Sequence, residues 1–371
     1  MRNLVNYSLN QAFFDIGNSL MRVFGIVYFY TMSGNNFYVA LGVHALSNCF
    51  NTVFLFFLPR YLGRMGTRTA LIISRIVFFL TAIPIFFLNQ TNYLEMLFIW
   101  SLLYGLAKSF LFIPNHILVL NITKTHNRGK SVGIILAISS LLGIIAPLIA
   151  GIVSNNYGTV GYSILLAICF IISIFFLRGV PDFRFTYTGD LRKTLKLKNI
   201  LREIKYSAMA NFQDQYQAWQ IYVFQILKSS FSSLGYLTTG INLIGALLNF
   251  FLGKFLDSHN RKEMLRLSGF LQSSAWLMRM LINTPIGALV SDSYMKLTSQ
   301  TFGETLTVFS YDLITVRKHD ILLDEKIIAR EIILTFVNIF TIAFAMLIFY
   351  FFGFTGIFIL AMLAALSFVV I

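Results

Sequence analysis

Charged and polar side chains recur at helical spacing inside four long apolar runs of the sequence. The run 9–31 carries Asp15, Asn18 and Arg22, whose steps of three and four residues place them on one face of a helix. Groups of these types can bind a polar solute or carry a proton. Burial makes the charged form of a carboxyl group costly, so such a group can load and release a proton near neutral pH.

The other three runs have comparable stripes. Their most polar members, with interleaved aromatics, are Tyr104 and Lys108 in run 94–119, Asp214, Gln217 and Trp219 in run 207–228, and Asp292, Lys296 and Glu304 in run 286–311. A polar group that faces lipid without a partner costs several kcal/mol. We therefore expect the stripes to face a cavity or one another.

Asp15 and Asp214 are the candidate proton-coupling carboxylates, because they lie at similar depth in their runs. The alternative is purely structural, with Asp15 paired to a basic group and Asp214 to glutamine amides. Arg22 and Lys108 have no local partner, so they either pair with these carboxylates across a cavity or bind an anionic group of a solute. Asp292 and Lys296, four residues apart, predict an ion pair within one helix.

The remaining candidates have simpler interpretations. Tyr104, Tyr216 and Trp219 suit stacking on a ring, although packing in the core is the stronger alternative. We expect Arg75 to reach the lipid headgroups, and Arg279 either to do the same or to join two halves of the chain. Other predictions concern Glu331, which is expected to interact with a helix N-terminus or to form a gate, and His44 and His116, which look isolated.

Composition identifies the class of protein. Hydrophobic residues make up 57% and charged residues 12% of the 371-residue chain, whereas a soluble domain carries about 25% charged residues. The net charge of +14 is spread over short loops, which favours anionic lipid over nucleic acid as the partner. Cys49 and Cys169 lie in apolar runs and form no disulfide framework. We expect no cofactor and no metal site.

Twelve apolar runs are long enough to cross a bilayer. They are 9–31, 36–58, 69–88, 94–119, 131–153, 158–177, 207–228, 234–256, 265–282, 286–311, 330–351 and 353–371. The sequence therefore predicts an all-α integral membrane protein with twelve transmembrane helices in two bundles of six. The predicted domains are 1–178, a basic cytoplasmic linker 179–206, which either docks on anionic lipid or is simply solvated, and 207–371.

The loop charges predict the orientation. Of the 29 lysines and arginines, all that lie outside the apolar runs fall in alternate loops, except Lys228. Positive loops face the cytoplasm, so we expect both termini there. The first run carries Asp15 and Arg22 and is predicted to remain as an uncleaved first span.

Two loops in matching places carry related motifs. The loop after the second run contains Pro59-Arg-Tyr-Leu-Gly63-Arg64-Met-Gly66-Thr-Arg68, and the loop after the eighth contains Gly253-Lys-Phe-Leu-Asp257-Ser-His-Asn-Arg261-Lys262. Both resemble the cytoplasmic signature of the major facilitator superfamily. The first copy departs from it, because Gly63 stands where the family has an Asp that helps to latch the two halves.

Two further segments carry the same resemblance. Asn127-Arg128-Gly129-Lys130 is similar to a motif that leads into the fifth span of the family, and Gly143, Pro147 and Gly151 resemble its antiporter-type element. Small residues there allow close helix packing, and the proline allows a bend.

The resemblance implies the fold and function of a secondary transporter. Spans 1, 4, 7 and 10 would line a central cavity, which agrees with the four polar stripes. The solute would be small and polar or ionic, transport would be proton-coupled, and the protein would be a monomer in a bacterial plasma membrane. The alternative is a non-transporting lipid-handling protein or sensor on the same scaffold. No nucleotide-binding loop or hydrolase motif is present in the sequence, so we expect no enzyme.

Overall fold

The computed structural model describes residues 2–122, 141–185, 209–256, 261–315 and 323–370, and all regular secondary structure in these ranges is helical. The helices are α1 (Arg2–Leu20), α2 (Ile26–Met32), α3 (Phe37–Phe57), α4 (Pro59–Met65), α5 (Thr67–Leu80), α6 (Ala82–Phe86), α7 (Tyr93–Ser109), α8 (Phe112–Ile122), α9 (Ala146–Leu177), α10 (Tyr216–Ile226), α11 (Phe231–Leu256), α12 (Arg261–Met280), α13 (Pro285–Thr315) and α14 (Leu323–Val370). A π-helical turn, Met21–Gly25, joins α1 to α2. The predicted all-α class is confirmed.

Several helical segments suit a bilayer by length and composition. Within the described ranges, those that qualify are Val5–Met32, Phe37–Phe57, Thr67–Phe86, Tyr93–Val119, Leu141–Leu177 and Ile328–Val370. Large apolar side chains such as Phe57, Phe87 and Tyr350 are exposed on the outside of the molecule, as expected where the solvent is lipid. The count of twelve spans remains a prediction.

The longest helices contain chain reversals at glycines. Gly158 in α9 has φ 58°, a left-handed value that favours glycine. A Cβ placed on Gly161 would lie 2.9 Å from Val153 Cγ1, although eight residues of straight helix would separate these positions by about 12 Å. The chain therefore folds back at this point. In α14, Gly353 has φ 60° and Gly356 follows with a matching close contact, so α9 and α14 reverse in the same way.

The chain divides for description into the N-half, residues 2–185, and the C-half, residues 209–370. The near end of the molecule is the end where α1 begins, and the far end is the end where α2 stops. The helices α9 and α11 pack closely, and so do α3 and α14. A Cβ placed on Gly151 would lie 2.9 Å from Gly235 Cα, so the backbones of α9 and α11 touch where both residues are glycine.

The two halves also meet at the far end. The Gln225 amide nitrogen donates to the Tyr30 hydroxyl (2.6 Å), and the rings of Tyr28 and Phe231 stack with centroids 4.6 Å apart. These contacts join the end of the first predicted span to the seventh and eighth.

Candidate functional site

Two adjoining cavities lie between the halves. The larger, of about 640 Å³, is lined mainly by the C-half, and the smaller, of about 280 Å³, mainly by the N-half. Four polar residues line both, namely Asn18, Arg22, Asn211 and Asp214. The volume and the converging polar groups are typical of a small-molecule site.

Arg22 and Asp214 form an ion pair between the halves, at the junction of the two cavities. Their closest nitrogen and oxygen atoms are 3.9 Å apart, and their side chains are 42% and 60% exposed. A tight charge-assisted hydrogen bond would be nearer 2.8 Å, so this pair is loose and open to a solute. The guanidinium group also lies 5.5 Å from the ring centre of Tyr216.

Both members of this pair lie where the helix is irregular. Arg22 belongs to the π turn Met21–Gly25. Asp214 and Gln215 interrupt the helix between 209–213 and α10, so the continuous helix predicted over 207–228 is wrong. Short polar side chains such as Asn211 and Asp214 compete with helical backbone bonds. Irregular turns of this kind often occur at functional sites.

The N-half supplies a hydrogen-bonded wall to the smaller cavity. The Tyr104 hydroxyl donates to Asn18 Oδ1 (3.0 Å). Lys108 Nζ donates to Asn48 Oδ1 (3.1 Å) and lies 4.6 Å from the centre of the Tyr104 ring. Gln217, also predicted as a site residue, lines the same cavity. Tyr104 itself is buried against Trp100, with centroids 4.5 Å apart, so its ring belongs to the wall.

Asp292 has a different partner from the predicted one. Its carboxylate is 2.6 Å from an Arg279 nitrogen, with side chains only 6% and 4% exposed, and it accepts a bond from the Trp219 indole nitrogen. The predicted pair with Lys296 is therefore wrong, because Arg279 reaches inward from α12. Arg279 lies between the rings of Trp219 and Trp276, 4.4 and 4.5 Å from their centres.

This cluster corrects two other predictions. Arg279 does not reach the headgroups or the other half, because it is buried inside the C-half against Asp292. Trp219 is fully buried and offers no free face to the cavity. Asp292 and Lys296 both line the larger cavity, and among the described side chains Asp292 has a charged partner that it does not share with Lys296.

A polar chain along α1 leads to Asp15. The Tyr7 hydroxyl donates to Asn115 Oδ1 (2.7 Å), and the Gln11 amide nitrogen donates to Asp15 Oδ1 (2.7 Å). Asp15 is half-buried and lines the larger cavity. The glutamine amide thus holds one carboxylate oxygen of Asp15 at the wall of this cavity.

Arg75 is buried in the N-half, so its predicted position at the headgroups is wrong. Its guanidinium carbon lies 3.6 Å from the centre of the Phe14 ring, and one nitrogen donates to Asn10 Oδ1 (3.4 Å). A charged side chain one turn into a predicted span can turn into the bundle as easily as toward the membrane surface.

Glu331 joins the halves instead of a helix N-terminus. It is buried eight residues into α14, where it pairs with Arg330 (3.0 Å) and lies 3.6 Å from His116 of the N-half. The predicted helix-terminal role is wrong, and the gate contact, which was the alternative, matches this position. His116 is not isolated, and the prediction that it would be is also wrong.

The signature loop of the N-half is closed by the segment that follows α9. Thr67 N donates to Phe183 O (2.9 Å), and Arg68 N donates to Asp182 Oδ1 (2.8 Å) at the first turn of α5. Gly66 has φ 95°. Gly63, the earlier glycine of the same motif, lies against the backbone oxygen of Phe185. An Asp side chain, which the family has in place of Gly63, would not fit there. The carboxylate beside this loop comes instead from Asp182, in the segment after α9.

Arg64 is exposed and Arg68 is half-buried beside this segment. In the C-half, Gly253 lies in α11 and Arg261 and Lys262 begin α12. The side chains of these two basic residues, that of Glu304 in α13, and Asp257 altogether lie outside the described residues.

The antiporter-like element lies at a helix interruption. Residues 144–145 form a turn, and α9 begins immediately afterwards with Pro147 in its first turn. Gly143 O accepts a bond from the Asn242 amide (3.1 Å), and Gly151 forms the glycine contact with α11. The element therefore lies against the C-half along its length.

Sequence reasoning missed part of the cavity lining. His44 and Asn48 in α3 and Asn338 and Thr341 in α14 line the smaller cavity. Steps of four and three along these two spans place each pair on one helical face, so a stripe was visible there too. Among the described residues no group of three His, Cys, Asp or Glu side chains has the geometry of a metal site.

Comparison with known proteins places the chain in a broad family. Residues 7–205 match the sequence profile of the Major Facilitator Superfamily. The crystal structure of a D-xylose–proton symporter is similar, with a TM-score of 0.74 at 13% identity, covering 99% of this chain and 96% of that one. The inward open conformation of the xylose transporter XylE from E. coli gives 0.70 at 14% identity, covering 98% and 94%. No curated protein sequence matches. At these identities the similarity is one of fold.

Proposed function

Because the chain belongs to the major facilitator superfamily and has its fold, we propose that it transports a small polar or ionic solute by alternating access. The observation that carries this proposal is the pair of cavities between the halves, with Arg22 and Asp214 at their junction. A site between two packed halves can be opened to either side of the membrane in turn.

The proposed motion is a rocking of the N-half, predicted as 1–178, against the C-half, predicted as 207–371. The far end is held by the bond between Tyr30 and Gln225. Opening there requires this bond and the neighbouring aromatic contacts to separate. Because one hydrogen bond contributes about 1 kcal/mol net, solute binding can offset its loss.

Proton coupling is assigned to Asp214 and Asp15. Protonation of Asp214 removes its attraction for Arg22, which frees both the arginine and the junction between the cavities. Asp15 lines the larger cavity with one oxygen held by Gln11, so it is placed to take up a proton from the same water. The proposal needs no nucleotide.

The proposed orientation follows the loop charges. The loop from Arg60 to Arg68 and the basic residues Arg178 and Arg184 lie at the near end, so this end would face the cytoplasm. The proposed location is a bacterial plasma membrane, with the protein acting as a monomer.

Reconstitution tests the proposal directly. Purified protein would be placed in liposomes that contain a pH-sensitive dye, and sugars, organic acids, amino acids and cations would be added in turn. We expect one class to drive proton movement in the wild type. In Asp214→Asn this movement should disappear while exchange of the same solute persists. The matched control is Glu95→Gln, an exposed carboxylate at the start of α7, which should behave as wild type.

Two results would contradict the proposal at different levels. Unchanged proton-driven accumulation in Asp214→Asn would remove Asp214 from coupling. A folded wild type that moves neither solute nor proton across the whole set would reject transport and favour lipid handling.

A further inference from the structure

The charges on the cavity walls are unbalanced. Four cationic side chains line the cavities, those of Arg22, Lys108, Lys296 and Arg279, and three of them remain once Arg279 is paired. The carboxylate of Asp292 is neutralised by Arg279 at 2.6 Å and cannot serve a second cation. Among the described lining residues only Asp15 and Asp214 remain to balance the three, and Asp15 also interacts with the buried Arg75.

Within the part of the chain that the structure describes, neither lysine has a carboxylate partner. Lys108 contacts the amide oxygen of Asn48 and the ring of Tyr104. For the Lys296 ammonium the structure records no ion pair or hydrogen bond among the described side chains. Both lysines also lie close enough to Arg22, another cation, for electrostatic repulsion. An excess of cationic side chains inside a membrane is unfavourable, and such charges mark a pathway for a charged ligand.

The two lysines occupy related places. Lys108 lies on α7 and lines the smaller cavity, while Lys296 lies on α13 and lines the larger. These helices are the fourth predicted span of each half. Gly245 of α11 provides room for the Lys296 stem, because a Cβ there would lie 2.8 Å from Lys296 Cγ. The lysine is thus seated in a groove and directed at the cavity.

We propose that the transported solute is a small organic anion, bound through carboxylate or phosphate oxygens by Lys108 and Lys296 from opposite sides, with Arg22 between them. This inference rests on the proposed transport function and specifies its substrate class. The loose contact between Arg22 and Asp214 supports it, because an incoming acidic group can replace the Asp214 carboxylate on the guanidinium fork.

The charge of the cavity can be measured without knowing the solute. In a background of Cys49→Ser and Cys169→Ala, Ser19→Cys places a thiol on the exposed lining of the larger cavity. Its reaction rates with an anionic and a cationic methanethiosulfonate would be compared. Thr91→Cys, exposed in the far-end loop, gives the reference ratio for the two reagents.

We expect the anionic reagent to be favoured at Ser19→Cys relative to Thr91→Cys. The preference should fall about threefold or more in Lys108→Gln and in Lys296→Gln at low salt, as expected for a unit charge removed at close range. Lys108→Arg and Lys296→Arg should retain it, which separates loss of charge from misfolding. A preference for the cationic reagent, or one unaffected by both Gln variants, would overturn the inference.

Protection of the same thiol distinguishes the substrate class from the transport function. Succinate and glycerol 3-phosphate should slow modification of Ser19→Cys, and xylose and choline should not. Protection by xylose alone would overturn the inference that the solute is an anion, but it would not contradict the proposal that the protein is a transporter. Absence of transport itself would appear only in the liposome assay.

Discussion

Two aspartates that sequence reasoning placed in one cavity should differ greatly in how much the same substitution destabilises the protein. Asp292→Asn and Asp214→Asn each remove one negative charge at constant size. Asp292 is nearly inaccessible and 2.6 Å from Arg279, whereas Asp214 is largely exposed and 3.9 Å from Arg22. The first pair is part of the packed C-half, and the second faces the cavity.

The expected loss in the free energy of unfolding is several times larger for Asp292→Asn than for Asp214→Asn. Removing one member of a buried ion pair costs roughly 3–5 kcal/mol, because the remaining charge has no compensation. In Asp292→Asn the Arg279 charge retains the faces of Trp219 and Trp276, each a favourable contact of about 1 kcal/mol, so we expect about 3 kcal/mol. An exposed pair contributes about 0–1 kcal/mol, and Asp214→Asn should fall in that range.

Thermal unfolding in detergent, followed by far-UV circular dichroism, measures the difference. Asp292→Asn should lower Tm by on the order of 5–10 °C, and Asp214→Asn should barely change it. Arg279→Met in the Asp292→Asn background should recover most of the loss, because the orphaned charge is then gone. An Asp292→Asn protein as stable as wild type would refute the buried-pair argument, and so would a larger loss in Asp214→Asn.

Three other predictions use different parts of the molecule. Gly235→Val should lower the free energy of unfolding by about 2 kcal/mol or more, because a Cβ there would lie 2.6 Å from Pro147 O. Its control is Gly42→Val, where a Cβ would meet no heavy atom within 4 Å and the protein should unfold near the wild-type temperature. Asp182→Asn should speed trypsin cleavage at Arg64 and Arg68 severalfold by weakening the cap on α5. If the variant and the wild type were digested at the same rate, the Asp182 carboxylate would not stabilise this helix end. Tyr30→Phe removes the hydrogen bond to Gln225 at the far end, which contributes about 1 kcal/mol, so a thiol reagent added at that end should label Ser19→Cys about fivefold faster. The control Tyr38→Phe, at an exposed tyrosine, should leave the labelling rate unchanged.

Several apolar spans could be predicted closely because apolarity is a local property. The run 36–58 became α3, Phe37–Phe57, and the predicted boundary between the last two spans, 351–353, coincides with the reversal at Gly353. The polar stripes also contain Asp15, Arg22, Lys108 and Asp214, which line one or both of the two adjoining cavities. Each of these inferences needs only the period of a helix and the cost of a polar group in lipid.

The partners of charged groups could not be predicted, because they depend on contacts between helices. Spacing along α13 suggested Lys296 for Asp292, but the actual partner projects from α12. Depth in a run suggested headgroups for Arg75 and Arg279, but depth says nothing about the direction around the helix axis. Asp182 followed an apolar run in a basic segment and gave no sign that it caps α5.

The contact between Gly151 and Gly235 has a mechanical consequence. It brings two backbones together close to the far end, and α11 then runs 21 residues from Gly235 to its last residue, Leu256. At 1.5 Å per residue this is a lever arm of about 32 Å. If the glycine contact acts as a fulcrum, a tilt of about 10° displaces the opposite tip of α11 by roughly 5 Å. Because Gly151 and Gly235 have no side chains where α9 and α11 cross, a small rotation of α11 there would open a gap at its other end wide enough for a small molecule.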